Sequence, residues 1–197
     1  MNLPNKLTLL RILLVPFSIF FLLMPGIPHH YLFAFIIFAA ASYTDHLDGK
    51  IARKHNLITD FGKFADPLAD KIMILAALGC FVQLGLTNAI VLIVIISREF
   101  MVTALRLVAS GSGKVVAANN WGKAKTISQI VAVLVVMLLQ YLLELGNMGI
   151  IKFGDISAVS SIFSIVGECF LWISALLTII SGIIYIVQNF EFIKNAK

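Results

Sequence analysis

Charged residues are scarce in this sequence: only 13% of its 197 residues are Asp, Glu, Lys or Arg, whereas 60% are hydrophobic. A water-soluble domain of this length needs a charged surface, so the composition excludes that class of protein. Long apolar runs occupy most of the chain, and such runs are typical of helices that span a bilayer. No polar stretch is long enough to fold separately, so the sequence predicts a single membrane domain over residues 1–197.

Cysteine is also rare, and the two that are present, Cys80 and Cys169, match no metal-binding spacing. Both lie within apolar runs, so each is expected to be a buried, inert thiol. The net charge of +5 does not indicate nucleic-acid binding, because no basic stripe is interleaved with aromatic residues. The first apolar run is followed by no small-x-small cleavage site and is therefore expected to be a retained helix.

The apolar runs separate into six predicted helices, so the expected fold class is an all-α, polytopic membrane protein with six transmembrane helices. The predicted spans are residues 7–24, 31–54, 61–86, 88–110, 120–145 and 160–190. Lysine and arginine concentrate at both termini and in the second and fourth connections, whereas Lys152 is the single basic residue of the other three connections. This asymmetry predicts that both termini are cytoplasmic.

Four aspartates lie at the predicted cytoplasmic ends of the second and third helices. Asp45 and Asp48 are three residues apart, and Asp66 and Asp70 are four apart, so each pair shares one helix face. The uncharged part of each helix has only about 15 residues, which cover about 23 Å of a bilayer core about 30 Å thick. The aspartates are therefore drawn to the membrane boundary, where a cluster of carboxylates indicates a functional site.

Four carboxylates that converge across one helix–helix seam repel strongly, and bound cations relieve that repulsion. Oxygen-only ligands select Mg²⁺ or Mn²⁺, and two such ions would balance four carboxylates and could clamp a diphosphate. Nearby, Gly49, Ala52 and Gly62 leave room for a ligand, and Arg53 offers a planar donor fork that suits phosphate. A solvated cluster of helix-end charges is the alternative interpretation.

The two helix ends read D-H-L-D-G-K-I-A-R and, eight residues later, G-K-F-A-D-P-L-A-D. This pattern resembles the signature of the CDP-alcohol phosphatidyltransferase family, Asp-x2-Asp-Gly-x2-Ala-Arg-x8-Gly-x3-Asp-x3-Asp, at all eight specified positions. Three other segments, P-N-K-L-T-L-L-R, I-S-R-E-F and G-K-A-K-T, are similar to bacterial members that use sn-glycerol 3-phosphate. The resemblance covers roughly residues 2–130. The last third of the chain shares with the family only the apolar composition of any membrane helix.

The resemblance implies a role for each motif position. The metal ligands would be Asp45, Asp48, Asp66 and Asp70, holding two Mg²⁺ or Mn²⁺ ions. Asp70 would also act as the general base on the acceptor hydroxyl. The residues that would contact the CDP-lipid are Gly49, Ala52, Arg53, Gly62, Asn5, Thr8 and Arg11. The last three recur at intervals of three residues and form one polar stripe at the start of the first helix.

The reaction that the resemblance implies is displacement at the lipid-linked phosphorus of CDP-diacylglycerol, with sn-glycerol 3-phosphate as acceptor and CMP leaving. It also implies a homodimer in the bacterial plasma membrane, in contact with membrane lipid, with an active site that faces the cytoplasm. Serine, inositol phosphate and phosphatidylglycerol are alternative acceptors within the family. A cation transporter is a more distant alternative, because a transporter would place its acidic groups near the bilayer midplane.

A candidate site for the acceptor phosphate lies on the fourth and fifth helices. Arg98 and Arg106 are eight residues apart, a little over two turns, so they lie roughly on one face. Lys123 and Lys125 follow at the start of the fifth helix. The alternatives are snorkelling of the arginines or their pairing with Glu99, and simple cytoplasmic anchoring by the lysines.

Overall fold

Six α-helices make up nearly all of the described chain. The computed structural model describes residues 3–54, 60–111 and 120–189, without the side chains of 3–4, 45–54, 60–67, 108, 110 and 111. Within these residues the helices are α1 (Leu3–Leu23), α2 (His30–Lys54), α3 (Asp60–Gln83), α4 (Ala89–Gly111), α5 (Asn120–Asn147) and α6 (Ile156–Gln188). Their ends lie within four residues of the predicted spans, so the prediction of an all-helical fold is confirmed.

Three helices in the described part of the chain are long and apolar enough to cross a membrane: Asn5–Leu23 of α1, α5 and α6. The apolar part of α2 is shorter, His30–Thr44, as the sequence predicts. In α4 the apolar run is interrupted by Arg98, Glu99 and Arg106. Large apolar side chains are exposed on the outer surfaces of all six helices, and lipid can cover such side chains. The fold is that of a helical membrane protein.

The helices pack in two groups. α1 packs chiefly against α2 and α3, whereas α6 packs against α5 and α4. The side chains between them include Phe38, Phe81, Ile95, Met137 and Leu171, none more than 1% exposed. Because lipid tails are as apolar as these side chains, close packing rather than transfer from water holds such helices together.

Two local features, one that ends a helix and one that begins a helix, lie at the end of the bundle where α3 ends and α6 begins. Gly85 has a φ of +70°, a left-handed conformation that costs glycine little, and it turns the chain from α3 into α4. The Asp155 carboxylate caps α6 by accepting from the backbone N–H groups of Ser157 at 2.9 Å and Ala158 at 3.3 Å. The Ser157 hydroxyl, and then these N–H groups, hold the pKa of Asp155 below its usual value. Because that pKa is depressed, the cap stabilises α6 at neutral pH and is lost as the pH falls through it.

Glu144, near the end of α5, caps the start of α2. Its two carboxylate oxygens accept hydrogen bonds from the backbone N–H groups of His30 at 3.2 Å and Tyr31 at 3.4 Å. Nearby, the Tyr141 hydroxyl lies 3.3 Å from Nδ1 of His29. The start of α2 and the end of α5 therefore lie at the same end of the bundle, as alternating helix directions require.

Glu144→Ala is expected to lower the free energy of unfolding by about 0.5–2 kcal/mol, the usual cost of removing a helix cap. The reason is that two N–H groups in the first turn of α2 lose their acceptor. Glu144→Gln keeps one carbonyl oxygen and should lose less. Thermal unfolding in detergent measures both variants. As a control, Glu168→Ala removes a half-buried carboxylate of α6 that makes no hydrogen bond to a described side chain, and should not lower Tm. An unchanged Tm in Glu144→Ala would contradict the capping role.

The two cysteines differ in exposure. Cys80 is buried, as predicted, whereas Cys169 is exposed, so the prediction of burial is wrong for Cys169. The reason is that a helix in lipid exposes apolar side chains on its outer face, and a position within an apolar run does not distinguish that face from the inner one.

Candidate functional site

The two halves of the aspartate motif both lie on helices. α2 continues through Lys54 and α3 begins at Asp60, so all eight motif positions are helical. Of these positions, Asp70 has a described side chain. The motif residues outside the described side chains are Asp45, Asp48, Gly49, Ala52, Arg53, Gly62 and Asp66. The side chains that are described contain no group of three or more His, Cys, Asp or Glu that could hold a metal. The metal site therefore stays a prediction.

Asp70 is held by an ion pair with α1. Arg11 donates from Nη1 to Oδ1 of Asp70 at 2.7 Å; its side chain is fully buried, whereas that of Asp70 is 36% exposed. A hydrogen bond between a guanidinium and a carboxylate is charge-assisted, so it fixes the orientation of the Asp70 side chain. A carboxylate has two oxygens, so this ion pair alone does not exhaust its capacity to accept. The sequence predicts a role for each residue but not their contact.

The predicted polar stripe of α1 is buried. Asn5 is 7% exposed, and Thr8 and Arg11 are 0% exposed. α1 packs against α2 and α3, the helices that carry the aspartate motif. The three side chains therefore face the helix bundle and not lipid, which agrees with the stripe expected from their spacing.

A second polar cluster, here called the α4 cluster, joins α4 to α5 and α6 through Arg98, Glu99, Lys125 and Ser181. Glu99, 7% exposed, accepts hydrogen bonds from Nη1 of Arg98 at 3.2 Å and from Nζ of Lys125. Nη2 of Arg98 donates to Oγ of Ser181 at 2.7 Å. Arg98 thus makes the pairing with Glu99 that the sequence offers as an alternative, and Lys125 shares the same carboxylate.

Lys71 connects the α4 cluster to the aspartate motif. It follows Asp70 on α3, and its ammonium group donates to the hydroxyl of Thr103 on α4. It also lies close enough to Glu99 and Arg106 to interact with both electrostatically. Lys71 and the basic residues around the α4 cluster are here called the cationic region. Asp70 is therefore next in the chain to a member of the cationic region.

Arg106 lies at the exposed side of this region. Its guanidinium carbon is 5.5 Å from the centre of the Tyr185 ring on α6, within the usual range of a cation–π contact. Lys123 is exposed and makes no hydrogen bond or ion pair with a described side chain. Of the four residues predicted to bind the acceptor phosphate, Arg98 and Lys125 thus share the carboxylate of Glu99. Lys71 interacts electrostatically with both arginines, whereas Lys123 has no described contact with the others.

The sequence did not single out the residues of α6 that contact this region. They belong to a stripe of polar side chains inside an otherwise apolar helix: Ser174, Thr178, Ser181 and Tyr185, each at most 2% exposed. Their spacing of three or four residues places them on one face of α6. Polar groups at helical spacing in a membrane helix face the bundle interior, and that signal could have identified them.

The region as a whole has the charge of an anion site. Lys71, Arg98, Arg106 and Lys125 come from three helices, whereas the described carboxylates that oppose them are the buried Glu99 and, beside Lys71, Asp70, which is paired with Arg11. Excess positive charge in a partly desolvated site attracts anions. Guanidinium groups in particular bind phosphate through two parallel hydrogen bonds.

The chain is similar to known proteins along its whole length. The family description "CDP-alcohol phosphatidyltransferase" matches residues 1–180. A Bacillus subtilis protein named CDP-diacylglycerol–glycerol-3-phosphate 3-phosphatidyltransferase is 44% identical, over 100% of this chain and 99% of its own. A Rickettsia felis protein of the same name is 36% identical over 93% of both chains. A Mycobacterium tuberculosis protein named probable phosphatidylglycerophosphate synthase is 43% identical over 67% of this chain and 64% of its own.

These matches extend the resemblance beyond the range expected from the motifs. The expectation that similarity ends near residue 130 is wrong, because the family match continues to residue 180 and the Bacillus relative aligns with the whole chain. The added range includes most of α6. The motifs do not extend into this range because apolar helices share composition with one another and carry few distinctive polar residues.

Proposed function

The chain belongs to the CDP-alcohol phosphatidyltransferase family, and we propose that it transfers a phosphatidyl group from CDP-diacylglycerol to sn-glycerol 3-phosphate. The products are phosphatidylglycerophosphate and CMP, so the protein acts in phospholipid biosynthesis. The observation that carries the proposal is the 44% identity over the full chain to a relative whose name states this reaction. The cationic region on α4 supports it, because this acceptor brings a phosphate.

The proposed reaction assigns a chemical step to Asp70. The acceptor hydroxyl oxygen forms a bond to the lipid-linked phosphorus, the bond from that phosphorus to the CMP oxygen breaks, and CMP leaves with the electron pair. Asp70 takes the hydroxyl proton as general base. Arg11 supports that role by fixing the orientation of the carboxylate through its 2.7 Å hydrogen bond, which ties the first half of α3 to α1.

Members of the family are generally dependent on divalent metals. Asp45, Asp48, Asp66 and Asp70 would hold two Mg²⁺ or Mn²⁺ ions, since an all-oxygen donor set suits these hard cations. When bound, the ions would neutralise the diphosphate charge. The lipid substrate would be positioned by the small residues and Arg53 of the same motif, together with Asn5, Thr8 and Arg11.

We further propose that the acceptor phosphate binds beside Arg98, Arg106 and Lys125. Lys71 follows Asp70 in the chain and interacts electrostatically with both arginines. This supports the proposal that an acceptor whose phosphate is bound there could present its hydroxyl to Asp70. Lys123 stays a candidate for a weaker, peripheral role because it is exposed near the start of α5.

A panel of acceptors tests the proposed function. Purified protein in detergent with labelled CDP-diacylglycerol and Mg²⁺ should release CMP with sn-glycerol 3-phosphate. It should release at least about a hundredfold less with serine, which has no phosphate for the cationic side chains to bind. Release should also be lower with inositol phosphate, whose alcohol is a bulky ring, and with phosphatidylglycerol, whose phosphate is a diester. Equal or faster turnover with one of the other acceptors would reassign the substrate while keeping the family. CMP release with none of the four would contradict the proposed reaction.

The proposed arrangement in the cell is a single domain of six transmembrane helices in the bacterial plasma membrane, with the active site facing the cytoplasm. The basic residues at the termini and in two connections support this orientation. Three of the six helices have the length and composition to cross on their own. The others would cross with their polar ends at the cytoplasmic boundary, where the aspartates lie. A homodimer is proposed on the family resemblance alone.

Cysteine accessibility measures this topology. Because the thiol of Cys169 is exposed, the two native cysteines are first replaced in a Cys80→Ala, Cys169→Ser background. A cysteine at position 28, exposed in the first connection, should react with an impermeant thiol reagent in intact cells. A cysteine at position 195 should react after the membrane is opened. The reverse pattern would overturn the proposed orientation.

A further inference from the structure

We propose that the C-terminal part of α6 holds Arg98 and Arg106 in position and so determines how tightly the acceptor phosphate binds. It does so through Ser181, Gly182 and Tyr185. The inference rests on the proposed function, because it concerns the acceptor site of that reaction. It adds α6 to a site whose other candidate residues lie on α1 to α5. Within it, Ser181, Gly182 and Tyr185 are positioning residues that act through the two arginines.

Arg98 is positioned by two neighbouring residues of α6. Oγ of Ser181 accepts a hydrogen bond from Nη2 of Arg98 at 2.7 Å. Gly182 provides space beside it: a Cβ there would lie 3.1 Å from Cγ and 4.0 Å from Nε of Arg98. Any larger residue would press on the stem of the arginine side chain. One residue therefore fixes the direction of the guanidinium and the next leaves room for its stem.

Arg106 is positioned by an aromatic face. Tyr185 is 2% exposed, so its ring is held firmly by packing, and the guanidinium of Arg106 lies over it at 5.5 Å. Arg106 is otherwise exposed, and an exposed arginine has many rotamers. The ring restricts those rotamers, so less conformational entropy is lost when phosphate binds.

The ring, and not the hydroxyl, carries this role. The hydroxyl oxygen of Tyr185 is buried and makes no hydrogen bond to any described residue. Removing a buried hydroxyl that has no partner costs little. Tyr185→Phe therefore keeps the aromatic face, whereas Tyr185→Leu removes the face and keeps an apolar side chain.

The test compares KM values for sn-glycerol 3-phosphate and CDP-diacylglycerol among matched variants of the full protein. Tyr185→Leu should raise KM for sn-glycerol 3-phosphate roughly 3- to 10-fold, the range expected for losing a cation–π contact. KM for CDP-diacylglycerol should stay within about twofold of wild type, a change too small to indicate a lost contact. Tyr185→Phe should behave as wild type. Leu171→Ala, which removes a buried side chain about 21 Å away on the same helix, should leave both KM values unchanged.

A double variant separates positioning from a general loss of structure. If Tyr185 acts through Arg106, then Tyr185→Leu should raise KM little further in an Arg106→Ala background. If Tyr185→Leu does not fold, Ser181→Ala takes its place, paired with Arg98→Ala. Thermal unfolding and gel filtration in detergent establish which variants are folded.

The outcomes distinguish this inference from the proposed function. If Arg106→Ala raises KM for sn-glycerol 3-phosphate while Tyr185→Leu leaves it unchanged, the inference is overturned and the acceptor site stands. A rise of equal size in Leu171→Ala or Tyr185→Phe, or full additivity in the double variant, also overturns it. If Arg106→Ala itself leaves that KM unchanged, the proposed acceptor site fails first.

Discussion

Asp70→Asn is expected to lower kcat by roughly 10²- to 10⁴-fold at saturating Mg²⁺, because it removes the carboxylate that takes the acceptor proton. The protein should remain folded. Asparagine offers an amide oxygen in the same place, so Arg11 keeps a hydrogen bond. The side chain at position 70 is 36% exposed, so water can solvate the Arg11 charge in part when the carboxylate is lost. Turnover is measured as CMP release, and folding by the unfolding midpoint in detergent.

Two comparison variants make this prediction specific. Arg11→Gln breaks the same ion pair but leaves the carboxylate, so it should keep a measurable kcat. Asp45→Asn removes a predicted metal ligand, so it should instead raise the Mg²⁺ concentration needed for half-maximal activity. Substantial turnover by Asp70→Asn at saturating Mg²⁺ would remove Asp70 from the role of base. Equal losses in Asp70→Asn and Arg11→Gln would assign the effect to the ion pair.

Arg106→Ala should reduce kcat/KM for sn-glycerol 3-phosphate by roughly 10- to 150-fold, equivalent to about 1.5–3 kcal/mol for one lost charge-assisted phosphate contact. Most of the change should appear in KM for this acceptor, and KM for CDP-diacylglycerol should change much less. Arg106 is expected to matter most because it is exposed to an incoming ligand, whereas Arg98 already donates to Glu99 and Ser181.

Arg98→Ala is the harder variant to interpret. It leaves Lys125 as the remaining described side chain that hydrogen-bonds the carboxylate of Glu99 and opens a cavity beside Gly182, so stability and binding fall together. Lys123→Ala is the matched control, since it removes an exposed cation that makes none of the described contacts, and it should change kcat/KM less than threefold. If Arg106→Ala keeps a wild-type KM for sn-glycerol 3-phosphate, these arginines are structural and the acceptor assignment loses its physical support.

The spacing of residues along the chain was sufficient to predict the helices and their ends. Hydropathy and helical periodicity are local properties, so the bounds of α2 and α5 follow from the apolar runs and the breakers beside them. The same is true of the motif: Asp66 and Asp70 share a face of α3 whatever the helix packs against. The stripe of Asn5, Thr8 and Arg11 also follows from spacing alone, and its burial agrees with it.

The partners of these side chains were decided by tertiary packing. Spacing on α4 predicts that Arg98 and Arg106 share a face, but it does not predict that α6 covers that face with Ser181 and Tyr185 some 80 residues later. In the same way, a fully buried Arg11 meets Asp70 because α1 packs on α3. Such contacts depend on how helices cross, and crossing depends on many side chains of both helices together. The sequence by itself therefore determined the family, the helices and the candidate residues, whereas the pairing of those residues into one cationic region was a property of the folded bundle.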